Sequence, residues 1–215
     1  MPYIGCTKKL LDELEIKQPA EEVDHRGLRG WHGNTFRLYR SKAVLLVNDE
    51  TRFAVFIPRM VKKDFRNFDQ IFRDRFRQAL EWANVDSGHI ARALLQCGGC
   101  SYGKIHNRSV LGTMNDMKQA IEFLLETELG RLPESEAEVQ RITMLLNKTP
   151  YRGKDLDKYV FAAVRMREML GGTAKRPEPK SGGIANHSLA LAEGIVLECL
   201  LTPGDDHKIH LRAPI

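Results

Sequence analysis

Three short apolar segments that follow one another closely are the feature that most restricts the fold of this chain. They occupy residues 36–39, 43–47 and 53–57 and are rich in side chains that favour strands. Turn-forming residues at 48–51 separate the second segment from the third, and Pro58 ends the series. Because parallel strands need a long crossover connection, these short connections predict an antiparallel meander.

Residues 62–83 carry the clearest helical pattern in the sequence. Their apolar side chains recur every three or four residues, which places them in one stripe facing a core. We therefore expect one long helix with a buried face. The stripe consists of Phe65, Phe68, Phe72, Phe76 and Ala83.

The same segment predicts a line of cationic side chains on another side of that helix. At about 100° per residue, four of them fall within an arc of roughly 60°. Several cations on one helix face can neutralise successive phosphates, so this line indicates a nucleic acid or an acidic protein as a partner. A solvated helix face is the simpler alternative. We define the basic ridge as Lys62, Arg66, Arg73 and Arg77.

The net charge and the hydropathy of the chain indicate where the protein is located and which partners it can have. The chain has 215 residues and a formal net charge of +5. Residues 171–215 hold five basic and five acidic side chains, so the whole excess lies in residues 1–170. No apolar run reaches the roughly 18 residues that span a bilayer, and the first residues do not resemble a signal peptide. We therefore expect a cytoplasmic protein that does not contact the membrane.

The complete pattern predicts an α+β fold, with a small antiparallel β-meander packed against several helices. A single domain is expected over residues 1–170, followed by a linker at 171–183 and an apolar helical tail at 184–215. The tail is expected to dock on its own domain or, in a homo-oligomer, on a second subunit, because an exposed apolar helix would aggregate. Further expected elements are strands at 3–6 and 102–105 and helices at 89–96, 113–128, 134–147 and 155–170.

A polar segment at residues 107–116 lies between a short strand and a strong helix. Thr113 and Asp116 have the spacing of a capping box, so the helix is expected to begin at Thr113. Asp116 would then lie near the positive end of the helix dipole. Four other polar residues of the segment are left without a structural role, and they could bind a phosphate or a carboxylate. They are Asn107, Arg108, Ser109 and Asn115.

His32 and Asp116 are the candidate catalytic residues. A histidine in the loop before the meander can carry a proton near neutral pH, and Asp49 is the third polar residue that could converge with them. The structural alternative is that His32 fixes its loop by a hydrogen bond while Trp31 fills the core. The sequence contains no Walker-type loop, no His-Glu-x-x-His and no Gly-x-Ser-x-Gly.

Cys97 and Cys100 form a Cys-x-x-Cys pair, which supplies half of a tetrahedral zinc site. The sequence has no second pair of this kind, so Cys6, Cys199, His106 or the C-terminal histidines would have to complete the site. Redox pairs normally open a helix, whereas this pair closes one. We therefore predict reduced structural cysteines and no cofactor, with zinc and redox chemistry as the alternatives.

Four segments of the chain resemble a bacterial family of unknown function. They are residues 5–11 (GCTKKLL), 31–34 (WHGN), 44–49 and 107–116 (NRSVLGTMND). The resemblance covers roughly residues 1–150. It implies a shared order of segments and no particular reaction, substrate or cofactor.

Two functions are consistent with these patterns. The first is a non-catalytic binding protein whose basic ridge contacts nucleic acid or an acidic partner. The alternative is an enzyme, a hydrolase or transferase, that acts on a phosphate-bearing or amide substrate at residues 107–116. We favour the first, because the geometry of the basic ridge follows from helical spacing while the convergence of His32 with the acidic residues does not.

Overall fold

The computed structural model describes residues 1–21, 26–151 and 160–171, and the backbone of two short strands near the C-terminus. The chain divides into two compact units, residues 1–175 and residues 176–215. In the described parts of the chain, no helix is both long and apolar enough to cross a membrane.

The first unit is built on a five-stranded mixed sheet with the strand order β4-β3-β2-β1-β5. The predicted meander is confirmed: β2 (Gly30–Leu38), β3 (Ser41–Asn48) and β4 (Ala54–Met60) pair antiparallel in sequence order. On the other side of β2, β1 (Tyr3–Cys6) lies parallel to both β2 and β5 (Ser101–Lys104). The α+β fold class is therefore confirmed, with parallel pairing added to the meander.

Helices cover both faces of this sheet. Strand β3 alternates between two apolar clusters, with Val44 and Leu46 in the first and Leu45 and Val47 in the second. The first cluster includes side chains of α1, α2, α3, α4 and α7, and the second includes those of α5 and α6. Burial on both faces explains why β3 and β4 read as continuous apolar runs. The helices are α1 (Lys8–Glu13), α2 (Lys62–Phe65), α3 (Phe68–Trp82), α4 (Ser87–Gln96), α5 (Arg108–Leu124), α6 (Glu136–Lys148) and α7 (Ala162–Met169).

The single helix predicted at residues 62–83 is two helices. Its buried stripe is confirmed, but the chain leaves helical geometry at Asn67, where φ is −116° and ψ is 32°. Helix α2 has its own N-terminal cap, because the Asp64 carboxylate accepts a hydrogen bond from the Val61 amide at 2.8 Å. The prediction of one continuous helix is therefore wrong.

Helix α5 begins five residues earlier than the sequence pattern predicts. Asn107 is its N-cap, and its side-chain oxygen accepts from the amides of Ser109 (3.0 Å) and Val110 (3.2 Å). Thr113 lies inside the helix, where its hydroxyl donates to the Ser109 carbonyl at 3.2 Å. The predicted capping box at Thr113 and Asp116 is wrong, because Asn107 satisfies two orphan amides and Val110 joins the core from the first turn.

The C-terminal unit contains two described strands, β8 (Ser188–Leu191) and β9 (Ile195–Glu198), which pair antiparallel. The prediction of a helix is wrong for these residues. Both segments are short and apolar, and periodicity alone does not distinguish such a strand from a buried helix. The rest of 184–215 and most of the predicted linker lie outside the described residues, and docking of the tail stays a prediction. Within the first unit, two further short strands, β6 (Pro150–Tyr151) and β7 (Val160–Phe161), pair antiparallel.

The free edge of β4 is closed at one residue by a side chain of α6. The buried Asn147 amide accepts from the Ala54 amide at 2.7 Å and donates to the Ala54 carbonyl at 2.8 Å, as a neighbouring strand would. Nearby, the Thr143 hydroxyl is buried without a hydrogen-bond partner. The buried amide group of Asn147 therefore both donates and accepts hydrogen bonds, whereas the buried hydroxyl of Thr143 does neither.

Replacing Asn147 by Ala should lower the free energy of unfolding by about 1–3 kcal/mol, because it leaves both polar groups of Ala54 without a partner. Thr143→Val is the matched change on the same helix and should not destabilise the protein, because it removes only an unpaired hydroxyl. Chemical denaturation of both variants measures the difference. Equal losses would show that the Asn147 hydrogen bonds do not stabilise the sheet edge.

The start of α6 carries an acidic group, Glu138, whose pKa is held well below its usual range. Hydrogen bonds from Arg131 and from the amides of Glu134 and Ser135 lower the pKa of Glu138 to about 2. The contribution of Glu138 to stability is therefore present above its ordinary pKa and is lost as the pH falls towards 2. Glu138→Gln should destabilise the protein at pH 7, and the difference from the wild type should shrink between about pH 4.5 and pH 2. Denaturation at several pH values tests this, with Glu126→Gln as a control that should show no such convergence.

Candidate functional site

His32 lies in the middle of the sheet, on the face that α5 covers. The prediction that His32 lies in a loop before the meander is wrong, because it stands in β2 opposite Gly5 of β1 and Val47 of β3. Its side chain is fully buried. Asp49 follows β3 directly, two residues beyond Val47 and therefore on the same face. Two of the three residues predicted to converge, His32 and Asp49, are thus brought together by strand pairing.

Both ring nitrogens of His32 are engaged. Nε2 accepts hydrogen bonds from the backbone amides of Asn107 (3.1 Å) and His106 (3.4 Å), and Nδ1 lies 2.5 Å from Oδ1 of Asp49. Because a backbone amide can only donate, Nε2 is the unprotonated nitrogen and Nδ1–H donates to Asp49. His32 therefore connects the end of β3 to the start of α5. To act as a proton carrier, as the sequence suggests, it would have to release these amides.

His106 is the exposed histidine of this cluster. Its ring lies 4.4 Å from the ring of His32, centroid to centroid, with a tilt of 57°. It also lies 5.8 Å from the ring of Tyr3. Gly5 makes room for both imidazoles, since a Cβ there would come within 3.1 Å of His32 Nε2 and 3.4 Å of His106 Nδ1.

Arg52 extends the cluster at the turn between β3 and β4. Its backbone adopts the left-handed conformation, with φ of 61°. Its guanidinium donates to the Asp49 carbonyl and to Oγ of Ser109, the latter at 3.3 Å. Burial lowers the pKa of Arg52, the carboxylate of Asp49 raises it, and the neighbouring charge of Arg165 lowers it again. Arg52 therefore contacts the first turn of α5, and its charge is affected by that of Arg165 from a distant part of the chain.

Asn48 fixes the turn that presents Asp49 and Arg52. Its buried side chain donates to the carbonyls of Gly27 (2.8 Å) and Gly30 (2.9 Å). Its oxygen accepts from the amide and the hydroxyl of Thr51, both at 2.9 Å. An amide side chain with all these bonds satisfied holds the turn in one conformation.

Asp116 and Asn115 are not part of this cluster. Both are exposed on α5, eight or nine residues after its N-cap, which corresponds to about 12–14 Å along the helix. Asn107, Arg108 and Ser109 do lie in the first turn beside His106. The predicted ligand-binding residues therefore fall into two places on α5, with Asn115 apart from the other three. A joint catalytic role for His32 and Asp116 has no support in this arrangement.

The basic ridge does not form one line on one helix. Lys62 belongs to α2, Arg66 is its C-cap, and Arg73 and Arg77 belong to α3 beyond the break. Lys62 lies 3.8 Å from Glu15 and Arg77 lies 3.4 Å from Asp74, both in exposed ion pairs. The angular argument for the ridge is therefore wrong, and contact with nucleic acid stays a prediction.

The Cys97 and Cys100 thiols lie in surroundings that favour the protonated form. Burial raises the pKa of Cys97 to about 11, and burial, followed by the charge of Asp69, raises that of Cys100. Thiol redox chemistry requires a thiolate, so these surroundings oppose it. Cys199 and the histidines at 207 and 210 lie outside the described residues, and a zinc site that includes them stays a prediction.

The ligand atoms of His32, Asp49 and His106 lie within 4.8 Å of one another, the spacing of a metal-binding group. However, the 2.5 Å between His32 and Asp49 is shorter than the roughly 3.3 Å between two ligand atoms on one tetrahedral zinc ion. An ion at the other ring nitrogen, Nε2, would instead meet the positive ends of the two amide dipoles. The geometry suits a neutral imidazole bonded to a carboxylate better than a cation.

Arg52, Arg165 and the position of His106 were not found from the sequence as parts of one site. Arg52 gives only a weak signal, as a non-glycine residue at the end of a turn rich in Asn and Asp. His106 directly precedes the polar segment 107–116, and the sequence indicates it only as a distant zinc ligand. Arg165 carries no local signal, because its proximity to Arg52 depends on the packing of α7.

The comparison with protein families identifies the chain. A family model described as a domain of unknown function (DUF6933) matches residues 3–164, and the chain belongs to that family. This confirms the resemblance to an uncharacterised family. Searches of the curated proteins and of the solved structures found no match.

Replacing Gly5 by Ala should destabilise the protein by about 1–3 kcal/mol, because the added methyl group presses on a histidine that is held at both ring nitrogens. Gly112→Ala is the matched control, since no atom lies within 4 Å of the added Cβ and the residue is inside α5. That change should stabilise the protein by about 0.5–1 kcal/mol. Thermal denaturation compares the two. A neutral Gly5→Ala variant would contradict the tight packing of the imidazoles.

Proposed function

We propose that this protein binds a small phosphate-bearing ligand at an anion cluster formed by Arg52, Arg108, Ser109 and Arg165. The proposal keeps the binding role expected from the sequence and moves it from the basic ridge to the first turn of α5. It takes the ligand class from the alternative hypothesis for residues 107–116.

The contact of the Arg52 guanidinium with Ser109, in the first turn of α5, is the observation that carries this proposal. The positive charges of Arg52 and Arg165, which act on each other, support it. Both side chains are half-buried, so the repulsion between their charges is less screened than on an open surface. The described residues offer Arg165 no ion pair, and Asp49, which offsets part of the charge of Arg52, is also hydrogen-bonded to His32. A bound phosphate would compensate both guanidinium groups.

The Arg52 guanidinium is also ordered before a ligand binds. Its two hydrogen bonds, to the Asp49 carbonyl and to Ser109, fix the plane of the guanidinium. A guanidinium has five N–H donors, so several remain for phosphate oxygens, and arginine binds such oxygens in a bidentate manner. A side chain that is already ordered loses less conformational entropy when the ligand binds.

The first turn of α5 adds further donors. Ser109 accepts from Arg52 through its oxygen, which leaves its own hydroxyl hydrogen to donate. Arg108 is exposed at the first position of a 17-residue helix, where the dipole also favours an anion. The hydrogen bonds of His32 to the amides of residues 106 and 107 hold this turn beside Arg52.

Isothermal titration with inorganic phosphate tests the proposal. Arg52→Gln and Arg165→Gln should each weaken binding by roughly tenfold or more, because each removes a charge-assisted contact. Arg92→Gln, which changes an exposed arginine of α4, is the matched control and should leave binding unchanged.

Absence of phosphate binding by the wild-type protein would overturn the proposal. Equal weakening by all three variants would also overturn it, because it would indicate a general effect of net charge. A titration with a single-stranded oligonucleotide separates the basic ridge from the anion cluster. Binding that is lost in a Lys62→Ala, Arg66→Ala variant and retained in Arg52→Gln would favour the ridge.

A further inference from the structure

An open depression of about 360 Å³ lies beside His106, on the side of the sheet where β5 forms the edge. Its volume is at the lower end of the range for small-molecule sites. It is lined by Tyr3, Pro19, Ala20, Glu21, Lys104, Ile105 and His106. Nothing in the anion cluster described above accounts for this depression.

The depression and the anion cluster meet at His106. The histidine lines the depression, and Ser109 of the anion cluster follows it three residues later in the chain. The ring of His106 also contacts that of His32, which is bonded to Asp49, and the Asp49 carbonyl accepts from Arg52. A continuous series of contacts therefore joins the depression to the anion cluster.

We propose that the ligand is a phosphate monoester whose hydroxylated organic group occupies this depression. This inference rests on the proposed function, since it places the phosphate group in the anion cluster. It goes further in assigning a substrate class and a second set of contacts to the same site.

The polar groups of the depression determine this choice of ligand. Glu21 and Lys104 are both exposed at its wall, one an acceptor of hydrogen bonds and the other a donor. A hydroxyl group both donates and accepts, so a polyhydroxylated group satisfies both side chains at once. Pro19, Ala20 and Ile105 supply the apolar part of the lining, against which the carbon skeleton packs.

Glu21 has a particular role in specificity. Its carboxylate would repel a phosphate group placed in the depression, whereas it accepts hydrogen bonds from the hydroxyl groups of a monoester. Glu21 therefore favours ligands that carry the phosphate at one end and the hydroxyl groups at the other. The same polarity excludes binding of the monoester in the reverse orientation.

Titrations with inorganic phosphate, glycerol 3-phosphate and ribose 5-phosphate test this inference. At least one monoester should bind about tenfold more tightly than inorganic phosphate. Glu21→Gln should weaken binding of that monoester several-fold and leave binding of inorganic phosphate unchanged. Glu81→Gln, an exposed change on α3, is the matched control and should alter neither.

The outcomes separate this inference from the proposed function. If inorganic phosphate binds and depends on Arg52, but neither monoester binds more tightly, the anion cluster stands and the role of the depression is overturned. If Glu21→Gln weakens binding of inorganic phosphate and of the monoester equally, the assignment of Glu21 is overturned. If no phosphate compound binds, both proposals fail.

Discussion

The hydrogen bonds of the buried His32 ring are the interaction on which the arrangement of the site depends. One nitrogen donates to a carboxylate that follows β3, and the other accepts from two amides that precede α5. The sheet and the helix are therefore joined by one neutral side chain rather than by apolar packing alone. Because both ring nitrogens are occupied, the ring holds the turn after β3 against the start of α5.

The meander and its burial could be predicted because the information is local. Apolar runs with turn residues between them, at 43–47 and 53–57, leave few alternatives to antiparallel neighbours. The parallel pairing of β1 with β5 could not be predicted, since nearly one hundred residues separate these strands and no local pattern specifies the partner. The break at Asn67 was missed for a related reason: the apolar spacing is kept on both sides of it.

The site was predicted only in part. The sequence indicates residues 107–109 as a ligand-binding segment, and this stays a prediction. It also suggests that His32, Asp49 and Asp116 converge, and strand pairing brings only the first two together. The true start of α5 was missed, since Asn107 and Thr113 are both acceptable N-caps and the choice depends on which apolar residues reach the core. The proximity of Arg52 to Arg165 arises from tertiary packing and leaves no trace in the sequence around either residue.

The Asn147 side chain completes the edge of β4. It also couples the opening of α6 to the opening of that sheet edge. The Ala54 amide is protected by an atom of α6, so it exchanges its hydrogen with solvent only when the helix separates from the sheet. This single amide therefore reports the opening of the α6 layer. The sheet edge and the helix would be expected to open as one cooperative unit, although they are distant in sequence.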